Sequence, residues 1–189
     1  MTTIGRAPLR GAAPIIMNIL SARKYPSQRN GPLSLAQTET RRLAYAIKTT
    51  ASPSADFNTA AREMAALISG PCWLVPIPDS TGNTDANTRL ASFIAGYCPG
   101  AQVVKAIGRT QPIQSQCERH KLALGPIPPE QHHFARTRKA LTLRQTYFVD
   151  NVTTSGHTME AARAALGFGA GLVFADAACR RVQIQATLF

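Results

Sequence analysis

The chain has 189 residues, of which 44% are apolar and 16% charged, with 13 glycines and 13 prolines spread along it. That length fits one domain with room for a small appendage, and the composition excludes collagen-like, coiled-coil and wholly disordered chains. Lysine and arginine together number 21 against 10 acids, a net charge of +11 that draws polyanions such as nucleic acid, nucleotides or pyrophosphate.

Residues 1–36 read as a basic, proline-rich N-terminal arm or hood segment, punctuated by Pro8, Pro14, Pro26, Gly31 and Pro32, in which Ile15 to Leu20 could be a short strand. The apolar run Ala12 to Leu20 is broken by Pro14 and Asn18 and followed by Arg23 and Lys24, so it cannot span a bilayer. With no secretory cleavage site legible either, a cytoplasmic protein without a membrane partner is expected.

Residues 37–189 read as one α/β domain. Leu43, Ala44 and Ile47 fall at helical spacing within residues 38–49, Ser52-Pro53-Ser54 breaks that helix, and a second runs from Asp56 to Ile68 until Gly70-Pro71 stops it. Cys72 to Pro78 is a short apolar run, the pattern of a buried strand, and it leaves through the turn composition Asp79-Ser80-Thr81-Gly82-Asn83. A helix over Thr88–Ala95 and a strand over Ala101–Ile107 follow. Residues 108–141 have weak periodicity and a Gly125-to-Pro129 breaker, which predicts a long loop or mobile hairpin of the kind that is commonly functional. Thr146–Val149 is the next strand, Met159–Leu166 a helix closed by Gly167 and Gly169, and Gly171–Ala178 another strand. Val182 to Phe189 alternates like an edge strand or ordered tail. Strands alternating with helices predict a mainly parallel, doubly wound sheet with ligands at the carboxyl ends of its strands.

Cys72, Cys98, Cys117 and Cys179 are far apart and contain no C-x-x-C pair, which argues against structural zinc. In a reducing compartment Cys72 and Cys179 read as small, free, buried core residues. The positive charge is concentrated: residues 1–50 carry eight bases and one acid, and residues 101–150 eight and three. These two blocks are either solvated faces or the surface that holds a nucleic acid or protein partner.

The stretch after Val149 carries the most chemistry. Thr153, Thr154, Ser155 and Thr158 offer hydroxyls, Gly156 lets the backbone turn closely, and the first amides of the following helix lack intrahelical acceptors and carry partial positive charge. That is an anion cradle suited to a phosphate, although a Ser/Thr cap with a glycine turn also opens many ordinary helices. Asp150, a few residues before it, can accept hydrogen bonds from sugar hydroxyls or hold a metal's water. A phosphosugar would fill both places.

Val149-Asp150-Asn151-Val152-Thr153-Thr154-Ser155-Gly156-His157-Thr158 resembles, without a gap, the phosphoribosyl-pyrophosphate motif of type I phosphoribosyltransferases. Arg41-Arg42-Leu43 to Lys48, Val75-Pro76-Ile77-Pro78, and Arg109-Thr110 with Gln114 and Arg119 resemble in order segments of the ComF-like, competence-associated group of that family, so the resemblance covers roughly residues 38–178. It implies a phosphoribosyltransferase-type sheet with a flexible loop, residues 108–141, over the site. It also implies Asp150 and Asn151 facing the ribose hydroxyls as catalytic residues, with Asp150 on the metal. Thr153, Thr154, Ser155, Gly156, His157 and Thr158 would wrap the 5′-phosphate. Asp79, Ser80, Thr81 and Gly82 fall where the family has its pyrophosphate loop, and the guanidinium forks of Arg109 and Arg119 are candidates to meet pyrophosphate.

The reaction so implied is displacement of pyrophosphate from 5-phosphoribosyl 1-pyrophosphate by a nitrogen nucleophile, with Mg²⁺ as cofactor. The ligand expected is phosphoribosyl pyrophosphate or a nucleoside monophosphate, and a homodimer is compatible with the resemblance. Asn151 stands where the family often has a second acid, and the basic start replaces a cysteine-rich zinc module that often precedes ComF-like domains. The alternative is a non-catalytic regulator or antitoxin-like module of the same fold that binds a phosphoribosyl ligand together with nucleic acid or a protein. No spacing among His120, His132, His133 and His157 marks a general base.

Overall fold

The computed structural model describes residues 17–25, 32–49, 54–138, 141–142 and 144–178. In chain order the elements are β1 (Ile19–Lys24), α1 (Leu35–Thr49), α2 (Ala55–Ala65), β2 (Cys72–Pro76), α3 (Asp85–Tyr97), β3 (Gln102–Val103) and β4 (Ile107–Arg109). They continue with α4 (Gln116–Lys121), a 3-10 turn at Pro129–His132, β5 (Phe134–Arg136), β6 (Gln145–Thr153), α5 (His157–Leu166) and β7 (Ala170–Asp176). Five strands form one sheet in the order β1-β7-β6-β2-β3, every neighbouring pair parallel. β4 and β5 make a separate antiparallel ribbon. The chain is therefore α/β, with a mainly parallel sheet flanked by helices in a Rossmann-like arrangement.

Side chains alternate across the sheet and build a core on each face. Leu74, Tyr147, Val149, Leu172 and Phe174 pack under α1, α2 and α3, while Val75, Phe148 and Val173 pack under α5 and the β4–β5 ribbon. β7, covered on both faces and paired on both edges, is buried along its whole length. Cys72 and Cys98 are free and buried in the first core, as small apolar fillers. Burial and the neighbouring Cys98 push the Cys72 thiol up to about 11. Cys179 lies outside the described residues. No helix among the described residues is long and apolar enough to cross a membrane.

Several boundaries differ from expectation for local reasons. α1 starts at Leu35, ahead of Thr38, because Ser34 and Gln37 form a reciprocal capping box: the Ser34 amide donates to Gln37 Oε1 at 2.8 Å and the Gln37 amide to Ser34 Oγ at 3.3 Å. α3 starts at Asp85, ahead of Thr88, where Asn83 Oδ1 accepts the Asp85 amide at 2.8 Å.

Residues 19–24, expected to lie in a loop-rich arm with a short strand within Ile15 to Leu20, form the β1 edge of the main sheet, in register with β7 from Ile19↔Gly171 to Lys24↔Asp176. Arg23 fastens that edge to the helices. Its Nε and Nη2 donate to both Glu63 carboxylate oxygens at 2.7 and 2.6 Å, and Nη1 donates to Glu39 at 3.0 Å. The β1–β7 ladder and the Arg23 ion pairs join residues 19–24 to the sheet and to α1 and α2.

The expected loop or hairpin at 108–141 is an excursion carried on the β4–β5 ribbon, with α4 and the 3-10 turn inside it. β6 does not stop at Val149: its ladder with β7 continues to Thr153↔Asp176, because the polar residues of the motif still have a strand to pair with. Asp150 and Asn151 are therefore strand residues on opposite faces. The alternating stretch Val182 to Phe189 lies outside the described residues.

Candidate functional site

β2 connects through α3 to β3 on one side, and β6 connects through α5 to β7 on the other, so the connections leave two adjacent strands in opposite directions. Their carboxyl ends flank the crevice that such a reversal of strand order creates. Beyond the regular ladder one further bond, from the Ile77 amide to the Val149 carbonyl at 3.0 Å, holds the two strands before they part.

The loop leaving β2 is closed by Asp79. Its Oδ1 accepts the Thr81 amide at 2.8 Å, the Thr81 hydroxyl at 2.7 Å and the Asn83 amide at 3.0 Å, and the Asp79 amide donates back to the Asn83 carbonyl at 2.8 Å. Gly82 supplies the left-handed residue the turn needs, at φ +95°. The structure thus places Asp79, Ser80, Thr81 and Gly82 together at the rim of the crevice, but spends one oxygen of the Asp79 carboxylate on the loop itself.

Arg109, expected to meet pyrophosphate, is the fastener beneath this loop. Nε donates to the Asp79 carbonyl at 2.8 Å, Nη2 to the Pro78 carbonyl at 3.4 Å and Nη1 to the His132 carbonyl, and the guanidinium lies 4.5 Å from the centroid of the Phe134 ring. Burial lowers its pKa, opposed by the charges of Asp79 and Asp150. Arg119 donates to the Gly125 carbonyl at 2.9 Å and closes the turn after α4, within its own segment. Neither arginine presents its full fork to a ligand as expected, because backbone carbonyls left over by irregular chain have recruited their donors.

On β6, Asp150 is partly buried at the point where the strands part. Its Oδ1 accepts the Asn151 amide at 2.8 Å and the Asn87 side-chain amide at 3.1 Å. Burial raises its pKa, and those two hydrogen bonds together with the charges of Lys48 and Arg109 work against the rise. Lys48 stands in the last turn of α1, which brings that helix end to the same crest.

Asn151 does not face the crevice with it. Only 3% exposed, it points under α1, where Nδ2 donates to the Ala44 carbonyl at 2.8 Å and Oδ1 is buried without a hydrogen-bond partner among the described residues. The expected ribose contact is corrected by strand alternation: neighbours on a strand cannot share a face. An amide suits this place because a carboxylate has no proton to give a carbonyl.

Of the predicted phosphate loop, Thr153 is the last residue of β6 and buried, which removes it from the loop's open part. Thr154 is exposed, while Ser155, His157 and Thr158 are partly buried. Gly156 caps α5 in the left-handed conformation at φ +87°, its carbonyl accepting the amides of Met159 and Glu160 at 2.9 and 3.0 Å. Ser155 Oγ accepts the His157 amide at 3.3 Å. His157 starts α5, and its Nδ1 lies 2.9 Å from the Ile127 carbonyl.

The β4–β5 excursion touches both loops. The Ile113 amide donates to the Ser80 carbonyl at 2.9 Å on the β2 side, and Ile127 meets His157 on the β6 side, its own side chain buried. The segment expected to cover the site is therefore tied to each of its rims. His132, at the base of the excursion, is 5% exposed, and burial with the neighbouring Arg109 lowers its pKa to about 4.

Among the described residues no three His, Cys, Asp or Glu side chains converge as a metal site. A cation here would have Asp150 as its protein carboxylate and would need most of its oxygens from a ligand, which is how Mg²⁺ is usually held beside phosphates. Sequence reading missed Asn87, which looks like any polar residue opening a helix, and the carbonyls that recruit Arg109. No family, curated protein or solved structure matches this chain.

Proposed function

We propose that the chain is a phosphoribosyltransferase-like protein of the type I kind. It binds 5-phosphoribosyl 1-pyrophosphate with Mg²⁺ in the crevice between β2 and β6 and transfers the phosphoribosyl group to a nitrogen acceptor, a nucleobase or amine, releasing pyrophosphate. The observation that carries this reading is the position of Asp150: a partly buried carboxylate at the switch point, with the Asp79–Asn83 loop on one side and the Thr154–Thr158 loop opening α5 on the other.

In this reading Asp150 accepts the ribose hydroxyls and stabilises the positive charge that develops on the sugar as its bond to pyrophosphate breaks. The hydroxyls of Thr154, Ser155 and Thr158 and the first amides of α5 hold the 5′-phosphate. The backbone of residues 79–83, held in shape by Arg109, lines the pyrophosphate end, and the excursion bridging both rims excludes water. Mg²⁺, when bound, neutralises pyrophosphate charge as it leaves. Asn151 takes no part in ribose binding and acts as a fold residue under α1, so a single acid carries the sugar contact.

The test is pyrophosphate release from phosphoribosyl pyrophosphate and Mg²⁺ across a panel of nucleobases and amines, with Asp150→Asn alongside. Release that falls by about 100-fold or more in the variant, the scale of losing one preorganised electrostatic group, supports the reading. No release with any acceptor counts against transfer.

A second reading, that the chain also holds nucleic acid, is favoured by one stretch of surface. Arg136, the last residue of β5, and Arg138 are exposed, and the hydroxyl of the equally exposed Thr137 between them donates to the Lys105 carbonyl at 2.9 Å. Arg144 further along lies 4.9 Å from the centroid of the Trp73 ring, and residues 101–117 and 131–149 contain no acid. Exposed bases and an arginine over an aromatic ring are groups that hold a single strand. Binding of a single-stranded oligonucleotide should weaken steeply with salt, with a slope smaller by about 1.4 in an Arg136→Ser/Arg138→Ser variant, about 0.7 for each arginine on a single strand. An unchanged slope would remove this surface from consideration.

A further inference from the structure

We infer that Asn87 is a positioning residue for Asp150: its side-chain amide spans the parting of β2 and β6 and holds one oxygen of the carboxylate so that the other is left for the ligand. Asn87 stands in the first turn of α3. One arm of its Nδ2 donates to the Ile77 carbonyl at 2.8 Å and the other to Asp150 Oδ1 at 3.1 Å. Ile77 in turn donates its amide to Val149 at 3.0 Å, and the amide next to Asp150 donates to the same Oδ1 at 2.8 Å. The result is a closed ring of hydrogen bonds at the point where the ladder ends.

A parallel ladder cannot continue past this point, because the two chains leave in opposite directions. The Ile77 carbonyl and the Asp150 carboxylate are therefore two acceptors facing one gap, and although the Asn151 amide reaches the carboxylate, no backbone donor among the described residues bridges the two. A primary amide is the side-chain group that offers two hydrogens from one nitrogen without adding charge, whereas a lysine or arginine there would neutralise the carboxylate. Both donors among the described residues converge on Oδ1, which leaves Oδ2 for a hydroxyl or a cation. The charged groups that act on Asp150 are Lys48 from α1 and Arg109 from β4, and neither donates to the carboxylate in the structure.

The inference rests on the phosphoribosyl reading only for what Oδ2 meets. Its test is the titration of the Asp150 carboxyl carbon by NMR in the free, full-length chain, assigned by its loss in Asp150→Asn. Asn87→Ala should raise the midpoint by about one pH unit, the worth of one hydrogen bond to a charged group, and Asn87→Asp should raise it further. In the unmodified chain, which needs no variant to fold, the Asn87 side-chain NH₂ resonances should shift with the same midpoint as the Asp150 carboxyl. A midpoint unchanged in both variants, or Asn87 resonances that ignore Asp150, overturns the inference. With phosphoribosyl pyrophosphate and Mg²⁺ as probe, Asn87→Ala should weaken affinity about 10-fold at pH 7, again one such bond. Normal Asn87–Asp150 coupling with no ligand binding would refute the functional reading and leave the positioning intact; binding with no coupling would do the reverse.

Discussion

Asn151→Asp gives the chain the second acid that the phosphoribosyl motif often carries, and the structure predicts that it damages the fold in a pH-dependent way. The side chain is 3% exposed, and among the described residues its hydrogen-bond partner is the Ala44 carbonyl and its oxygen has none. An ionised carboxylate there would lose solvent, gain no donor and face a carbonyl oxygen, so its pKa in the folded chain should rise by roughly two to three units above the unfolded value near 3.9. A folded pKa above the unfolded one means that the folded state holds the proton more tightly. Stability relative to the parent is then lost as pH rises from about 4 through the folded pKa. At about 1.36 kcal/mol per unit the loss at pH 7 is about 3–4 kcal/mol, or roughly 6–16 °C in the unfolding midpoint of a chain this size. At pH 4 the protonated acid can donate to Ala44 as the amide does, and the difference should nearly vanish. Urea unfolding of parent and variant between pH 4 and 8 measures this directly. A variant as stable as the parent at pH 7 would mean that residue 151 faces the crevice after all.

Asp150→Asn should do the opposite, because burial already raises the pKa of Asp150 and the isosteric amide can still accept from Asn87 and Asn151. The variant should be more stable than the parent at pH 7, with the gain shrinking as pH falls toward 4; a loss of stability at neutral pH would contradict the burial of this carboxylate. His132 works with the other sign. Its folded pKa of about 4 lies below the unfolded value near 6.5, so the parent should lose up to about 3 kcal/mol as pH falls through that window. His132→Phe should flatten the stability curve there, and an unchanged slope would refute it. Gly169→Ala should cost about 2–4 kcal/mol in thermal unfolding, since φ is +120° and a Cβ would lie 2.7 Å from the buried Phe148 ring. Gly167→Ala, at φ +94° with open space around it, should cost only about 1 kcal/mol, and equal losses at the two positions would argue against the Phe148 contact.

The fold was legible where apolar periodicity is strong. The runs at Cys72–Pro76 and Ala170–Asp176 are buried on both faces and read as strands directly, and the helical faces of Leu43, Ala44, Ile47 and of Phe57, Ala60, Ala61, Met64 are the buried ones. β1 was legible only at its start, where it overlaps the short strand expected within Ile15 to Leu20; its remainder contains two charges and a serine and is a strand by virtue of β7's open edge and of Arg23 reaching Glu39 and Glu63. The candidate site was legible as a place rather than as a set of contacts. Asp150 lies on β6 and the Thr/Ser/Gly loop directly follows that strand, while the Asp79–Asn83 loop leaves the neighbouring β2. What individual side chains do depended on distant backbone. Asn151 turned on the parity of a strand that runs four residues past the apolar run, and Arg109 on carbonyls at Pro78, Asp79 and His132 that no local pattern announces.

The central claim is that a phosphoribosyl ligand sits at the β2–β6 crevice through Asp150. Thermal unfolding of the full chain with Mg²⁺ alone, and with Mg²⁺ and phosphoribosyl pyrophosphate, in the parent and in Asp150→Asn, tests it most directly. Ligand at about 100 times its dissociation constant adds about 2.7 kcal/mol, which for a chain this size is roughly 5–11 °C. The account predicts that shift in the parent and its loss in the variant; no shift at millimolar ligand, or an equal shift in both, would contradict it.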